Sequence, residues 1–121
     1  MPERARKGVP TLEPTAFRGT DLDRAGTVAV AFVADWCPFC RRFDPEFAEL
    51  QGQGFELARA DLSSESSSLW DDFHIEVVPT VIVFRDGRTI FRADGRYGHG
   101  LDERDMSAIV AAARSPGARA T

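Results

Sequence analysis

Cysteine is scarce in this chain, with two among 121 residues, and several other features are missing altogether. No apolar run approaches the ~18 residues that a membrane-spanning helix needs. The basic residues near the N-terminus are not followed by the apolar stretch of a secretory signal. A basic excess is also missing: fifteen Lys and Arg stand against nineteen Asp and Glu, a formal net charge of -4, so the electrostatic footprint of a nucleic-acid binder is lacking. The one basic cluster, Arg4 to Lys7, is a short terminal run. There is no internal repeat, and the serine run from Ser63 to Ser68, interrupted by Glu65, is too brief for a linker. These absences exclude membrane and nucleic-acid partners from the expectation and point to a cytoplasmic, monomeric protein.

With 43% hydrophobic and 28% charged residues, the chain has an ordinary globular composition, long enough for one core and too short for two. The expected organisation is a flexible tail over 1–9, one domain over 10–114, and a second flexible tail over 115–121. Thr27 to Val33 is a continuous β-branched and apolar run, the pattern of a strand buried on both faces. Cys40, Phe43, Phe47 and Leu50 recur at steps of three, four and three, which predicts a helix over about 38–51, with Pro45 inside it removing one hydrogen bond. Leu69, Trp70 and Phe73 anchor a further helix that Ser63 or Ser64 would cap. Phe55 to Ala60 and Thr80 to Phe84 read as strands. Asp86-Gly87 is a turn signal pairing the latter with Thr89 to Ala93, and Asp102 opens a last helix whose buried face is Met106, Ile109, Val110 and Ala113. This order gives an α/β fold, a central mixed β-sheet flanked by helices in a three-layer sandwich.

The two cysteines stand three apart, as Cys37-Pro38-Phe39-Cys40. They close too small a ring to serve as a structural staple, and in a cytoplasmic protein such a dithiol is more often catalytic or metal-binding. A closed zinc site needs four ligands, but the remaining soft candidates, His74 and His99, have no paired spacing, so no metal is expected. The Tyr97-Gly98-His99-Gly100 loop lacks the strand-to-helix glycine fingerprint of nucleotide binding and reads as a turn, so no cofactor is expected either. At a strand-to-helix junction the first sulfur falls at the helix N-terminus, where free N–H groups and the macrodipole favour negative charge. Cys37 is therefore expected to be a thiolate of depressed pKa, attacking a substrate disulfide, with Cys40 resolving the mixed disulfide. Pro38 suits the first helical turn. Arg41, four residues after Cys37, adds positive potential and Asp35 opposes it. His74 reads as a partly exposed helix-end histidine.

Trp36-Cys37-Pro38-Phe39-Cys40, Pro45 five residues on, and Val78-Pro79-Thr80 at the start of the hairpin together resemble the thioredoxin family over about residues 10–113. The resemblance implies the thioredoxin fold, with Pro79 as a cis-proline facing the sulfurs and Val78 offering its backbone to an extended substrate peptide. Trp36 would cover the edge of the active site, and Gly95 would keep the other groove wall low. Substrate contacts are thus expected from Trp36, Pro38, Phe39, Val78, Pro79 and Gly95. Two features depart from the family. Ala31 stands where the family has a buried aspartate that assists deprotonation of the second cysteine, and Pro38-Phe39 replaces Gly-Pro, being similar to the Pro-Tyr of glutaredoxins. The expected function is a protein disulfide reductase with disulfide-containing protein substrates, recycled by a reductase or a small thiol. The rival readings are an oxidant or isomerase of higher potential and a non-catalytic binding module.

Overall fold

The structure, a computed structural model, describes residues 9–115; the basic cluster and most of both expected tails lie outside the described residues. In chain order come β1 (Thr11–Leu12), one turn of 3-10 helix (Pro14–Ala16), β2 (Phe17–Arg18), β3 (Asp21–Leu22), β4 (Thr27–Val33), α1 (Pro38–Ala48), β5 (Glu56–Asp61), α2 (Leu69–Asp72), β6 (Thr80–Arg85), β7 (Arg88–Ala93) and α3 (Glu103–Ala113). Five strands form one mixed sheet in the order β1-β5-β4-β6-β7. β4 runs parallel to β5 and antiparallel to β6. The β6–β7 hairpin turns at Asp86-Gly87, where both residues adopt positive φ, as a two-residue hairpin turn of this twist requires.

Strand β4 is apolar on both faces because it sits between two partners and two layers, and residues 28–32 are fully buried. Its side chains divide by parity. Val28, Val30 and Phe32 meet Phe17, Leu69, Phe73 and Phe84 on one face. Ala29 and Ala31 meet Phe43 and Phe47 of α1 and Ile109 of α3 on the other. The sandwich therefore has α1 and α3 on one side of the sheet and α2 with the β2–β3 hairpin on the other.

Three details differ from the expectation. Helix α1 continues through Pro45 but ends at Ala48, although Leu50 beyond it is still buried. Helix α2 is a single turn whose N-cap is Ser68, with no side-chain capping bond, so neither Ser63 nor Ser64 caps it. Residue 9, which the sequence assigns to the tail, is built into the sheet edge. Val9 is buried, its carbonyl accepts a hydrogen bond from the Arg59 guanidinium at 2.8 Å, and Pro10 O accepts Arg59 N–H at 2.8 Å.

Candidate active site

Where β4 leaves the sheet, the chain is pinned before it reaches the cysteines. The Asp35 N–H donates to Ser63 Oγ at 2.8 Å, the Trp36 indole N–H to Ser63 O at 2.9 Å, and the Cys37 N–H to Ala34 O at 3.2 Å. Ser63 thus anchors the approach to the dithiol instead of capping a helix. Cys37 is the N-cap of α1, with extended backbone, and its Sγ accepts the Cys40 N–H at 3.1 Å. A sulfur here occupies the place normally taken by a hydroxyl or carboxylate oxygen, at the end of the helix where negative charge is stabilised. Both cysteines are free thiols. The Cys37 Sγ also lies 3.5 Å from Val78 O, on the far side of the groove.

Cys40, one helical turn on, is in a different environment. Burial pushes its thiol up to about 12, reinforced by its hydrogen bond to Cys37 and by the charges of Cys37 and Asp44, while a backbone hydrogen bond at Ala34 opposes the rise.

The Val78–Pro79 peptide is cis. The Thr80 hydroxyl donates to Val77 O at 2.7 Å and accepts the Gly95 N–H at 3.3 Å, tying this turn to the end of the hairpin. A Cβ at Gly95 would overlap the Pro79 carbonyl oxygen, so glycine is required there by close packing and not by turn geometry. Pro79 and Gly95 are both buried, and neither of these expected contact residues lines the groove itself.

The groove has a volume of about 510 Å³ and is lined by Trp36, Cys37, Pro38, Phe39 and Val78 as expected, together with Trp70, Glu76, Val77, Tyr97 and Gly98. Trp70 stacks on Trp36, ring centroids 6.3 Å apart and planes within 7°, so the aromatic edge is two indoles deep. Tyr97 is 94% exposed. Gly100 packs on Phe39, a Cβ there falling 3.1 Å from that of Phe39; the segment 97–100 is a turn as expected, and it also supplies Tyr97 and Gly98 to the groove wall. Cys40 does not open on this groove. It lines a second cavity of about 520 Å³ on the other side of α1, with Asp35, Arg41, Asp44, Arg59 and Asp61. The Arg41 guanidinium is turned to the Asp35 carbonyl at 2.8 Å. His74 is exposed and lines neither cavity, with its carbonyl accepting from Arg92 at 3.1 Å. The cavity residues Asp44 and Arg59 were not singled out in the sequence, although the i,i+4 spacing of Cys40 and Asp44 places them on one helical face.

Comparison with known proteins agrees with this arrangement. Residues 8–109 match the thioredoxin family model. The chain is 33% identical over 94 residues to the H-type thioredoxin of Picea mariana, covering 76% of this chain and 74% of that protein. It is 30% identical over 105 residues to the bifunctional thioredoxin reductase/thioredoxin of Mycobacterium leprae, covering 83% of this chain and 23% of that one. Thioredoxin f2 of Chlamydomonas reinhardtii superposes with a TM-score of 0.72 over 90% of this chain and 99% of its own, at 20% identity, a likeness of fold. With a dithiol at a helix N-terminus, the Cys37 sulfur 3.5 Å from the carbonyl of the Val78–Pro79 cis peptide, and a family match over most of its length, the chain belongs to the thioredoxin family and is a thiol–disulfide oxidoreductase.

Proposed function

We propose that the chain reduces disulfides in protein substrates within a reducing compartment such as the cytoplasm, acting as a monomer. The observation that carries this reading is the position of the Cys37 Sγ. It is held by the Cys40 N–H at 3.1 Å at the head of α1 and faces the Val78 carbonyl at 3.5 Å, in a groove of about 510 Å³. Val78 would pair with an extended substrate peptide by its backbone, the Trp36–Trp70 stack and Phe39 would flank it, and Cys37 would attack its disulfide. Cys40 then attacks the Cys37 sulfur and frees the reduced product. One copy carries both sulfurs and both groove walls, so no second copy is needed.

The order of the two steps is supported by the causes acting on Cys40. Two of the interactions that hold its proton on, the hydrogen bond that Cys40 donates to the Cys37 sulfur and the Cys37 charge, are lost when Cys37 is covalently bound to substrate. The resolving thiol thus becomes easier to ionise only after the first step. Recycling by a dedicated reductase is supported by the Mycobacterium leprae relative, whose name joins the two activities in one chain.

Cys40→Ser is expected to accumulate mixed disulfides through Cys37, detectable as intermolecular adducts that a reductant releases; absence of adducts under oxidising stress would refute catalytic turnover. Direction is read by titrating the Cys37–Cys40 couple in glutathione buffers, followed by fluorescence of the Trp36–Trp70 pair. A potential near ~-270 mV supports the reductase, whereas one of about -180 to -120 mV identifies an oxidant or isomerase.

A further inference from the structure

The buried Cys40 thiol must lose its proton when it attacks, and Ala31, fully buried against α1, has no group to take it. We propose that Asp44, aimed by Arg59 into the cavity that Cys40 lines, receives the Cys40 proton through water during the resolving step. The inference rests on the resolving role proposed above for Cys40.

Three features place Asp44 there. It lies four residues after Cys40 on the same face of α1, and both line the cavity of about 520 Å³, which has ample room for water and the polar partners to hold it. Its carboxylate is gripped by both arms of the Arg59 guanidinium, Nε to Oδ1 at 2.6 Å and Nη2 to Oδ2 at 2.9 Å. A third donation from Arg59, to Val9 O at 2.8 Å, fixes the guanidinium in turn. Arg59 is the β5 register partner of Ala31, so the cation beside the empty strand position has taken its carboxylate from the helix. Of the other charged groups facing Cys40 in this cavity, Arg41 is bonded to the Asp35 carbonyl and is no acceptor. Asp61 accepts from Ser63 N–H at 2.9 Å, and Asp35 is exposed beside Trp36. Neither shares the helical face of Cys40.

The step balances as follows. The Cys40 sulfur forms a bond to the Cys37 sulfur as the mixed disulfide breaks. The substrate sulfur leaves as thiolate with the bond's electron pair, and the Cys40 proton passes to Asp44 and then through solvent to that thiolate or to bulk water. Both protein sulfurs end oxidised and the substrate disulfide ends reduced by two electrons. Arg59 is a positioning residue in this scheme.

The test uses the intact chain and an aromatic disulfide whose released thiolate is coloured, mixed in a stopped-flow instrument. The first phase reports attack by Cys37 and the second reports resolution by Cys40. In the unaltered protein the second phase is expected to vary far less than tenfold per pH unit between about pH 5 and 8, because the Cys40 proton passes to a group held in the cavity as the sulfur attacks. If Cys40 ionised into solvent beforehand, the rate would rise about tenfold per pH unit below its pKa, and that result would overturn the proposal without any variant. Asp44→Asn is expected to slow the second phase by about 10²-fold near neutrality and give it that tenfold slope, with the first phase unchanged and Asp44→Glu restoring the rate. A second phase unchanged or faster in Asp44→Asn also overturns the proposal, since a carboxylate that merely repels the Cys40 thiolate speeds resolution when it is removed. Failure of the first phase in the unaltered protein would instead refute the oxidoreductase reading itself.

Discussion

A methyl group at position 95 would overlap the Pro79 carbonyl oxygen and press within 3.3 Å of Val77 Cγ1. Neither neighbour is free to retreat, because Thr80 bonds both Val77 O and the Gly95 N–H. Gly95→Ala is therefore expected to cost about 1–3 kcal/mol of stability, the range for overpacked sites, measured by urea denaturation, and to slow disulfide reduction by displacing the Val78–Pro79 turn. Cys40 carries a pH dependence of its own. Its folded value of about 12 lies above the reference 9.0, so between these values the unfolded chain has lost a proton that the folded chain retains. Stability of the reduced protein is full below about pH 9 and falls above it, by at most about 1.4 kcal/mol per pH unit. The oxidised protein has no thiol to titrate, and its denaturation midpoint is expected to lack this alkaline decline; equal slopes for the two forms would show that burial does not hold the proton on Cys40.

Among the elements, α3 does more than cover the sheet. Its N-cap Asp102 exchanges a capping box with Asp105, and both carboxylates reach Arg96, at 3.2 and 3.1 Å, while His99 Nε2 lies 3.3 Å from Asp102. The cap thereby fixes the 97–100 loop, which supplies Tyr97 and Gly98 to the groove wall. The bond to the Asp105 N–H, then His99 and Arg96, hold the Asp102 carboxyl at about 2 against a reference of 3.8. This contribution is complete above about pH 4 and is lost as pH falls toward 2. Asp102→Ala is expected to lower the melting temperature at pH 7 and to show a smaller further loss between pH 4 and 2 than the unaltered chain. It should also weaken peptide-disulfide reduction through a raised KM. Elements of this kind differ in how openly the sequence declares them. β4, α1, the Asp86-Gly87 hairpin and the Asp102 start of α3 were all legible because each has a periodic apolar pattern or a residue type with one conformational use. β1, β2 and β3 were not: at two residues each they show no period, and Phe17 and Leu22 are buried through tertiary packing alone. The Ser63 region misled because serine caps helices in isolation, whereas here its hydroxyl and carbonyl are claimed by Asp35 and Trp36 across 27 to 28 residues.

At the scale of the whole molecule, Arg59 of β5 ties the sheet to α1 through Asp44. The dithiol was readable from its spacing, and the cis-proline and the groove from the family resemblance that its motifs carry. The cavity behind Cys40 was not, since Val33, Asp44 and Arg59 come from three separate elements and line it together only when β4, β5 and α1 are stacked. That stacking makes a further prediction possible. If Arg59 is what holds the proton-accepting carboxylate beside Cys40, the carboxylate can be moved from helix to strand without changing the net charge of the cavity. Ala31→Asp alone puts a second carboxylate in a fully buried site whose nearest guanidinium is already engaged, and should cost about 1–3 kcal/mol by urea denaturation. Combined with Asp44→Asn, the same aspartate has Arg59 to itself, so much of that cost should be recovered, and the second phase of disulfide reduction should return to within about tenfold of the unaltered rate, against the ~10²-fold deficit of Asp44→Asn. A double variant as slow as Asp44→Asn would show that the helical position of the carboxylate, four residues from Cys40, is what resolution requires, and not its pairing with Arg59.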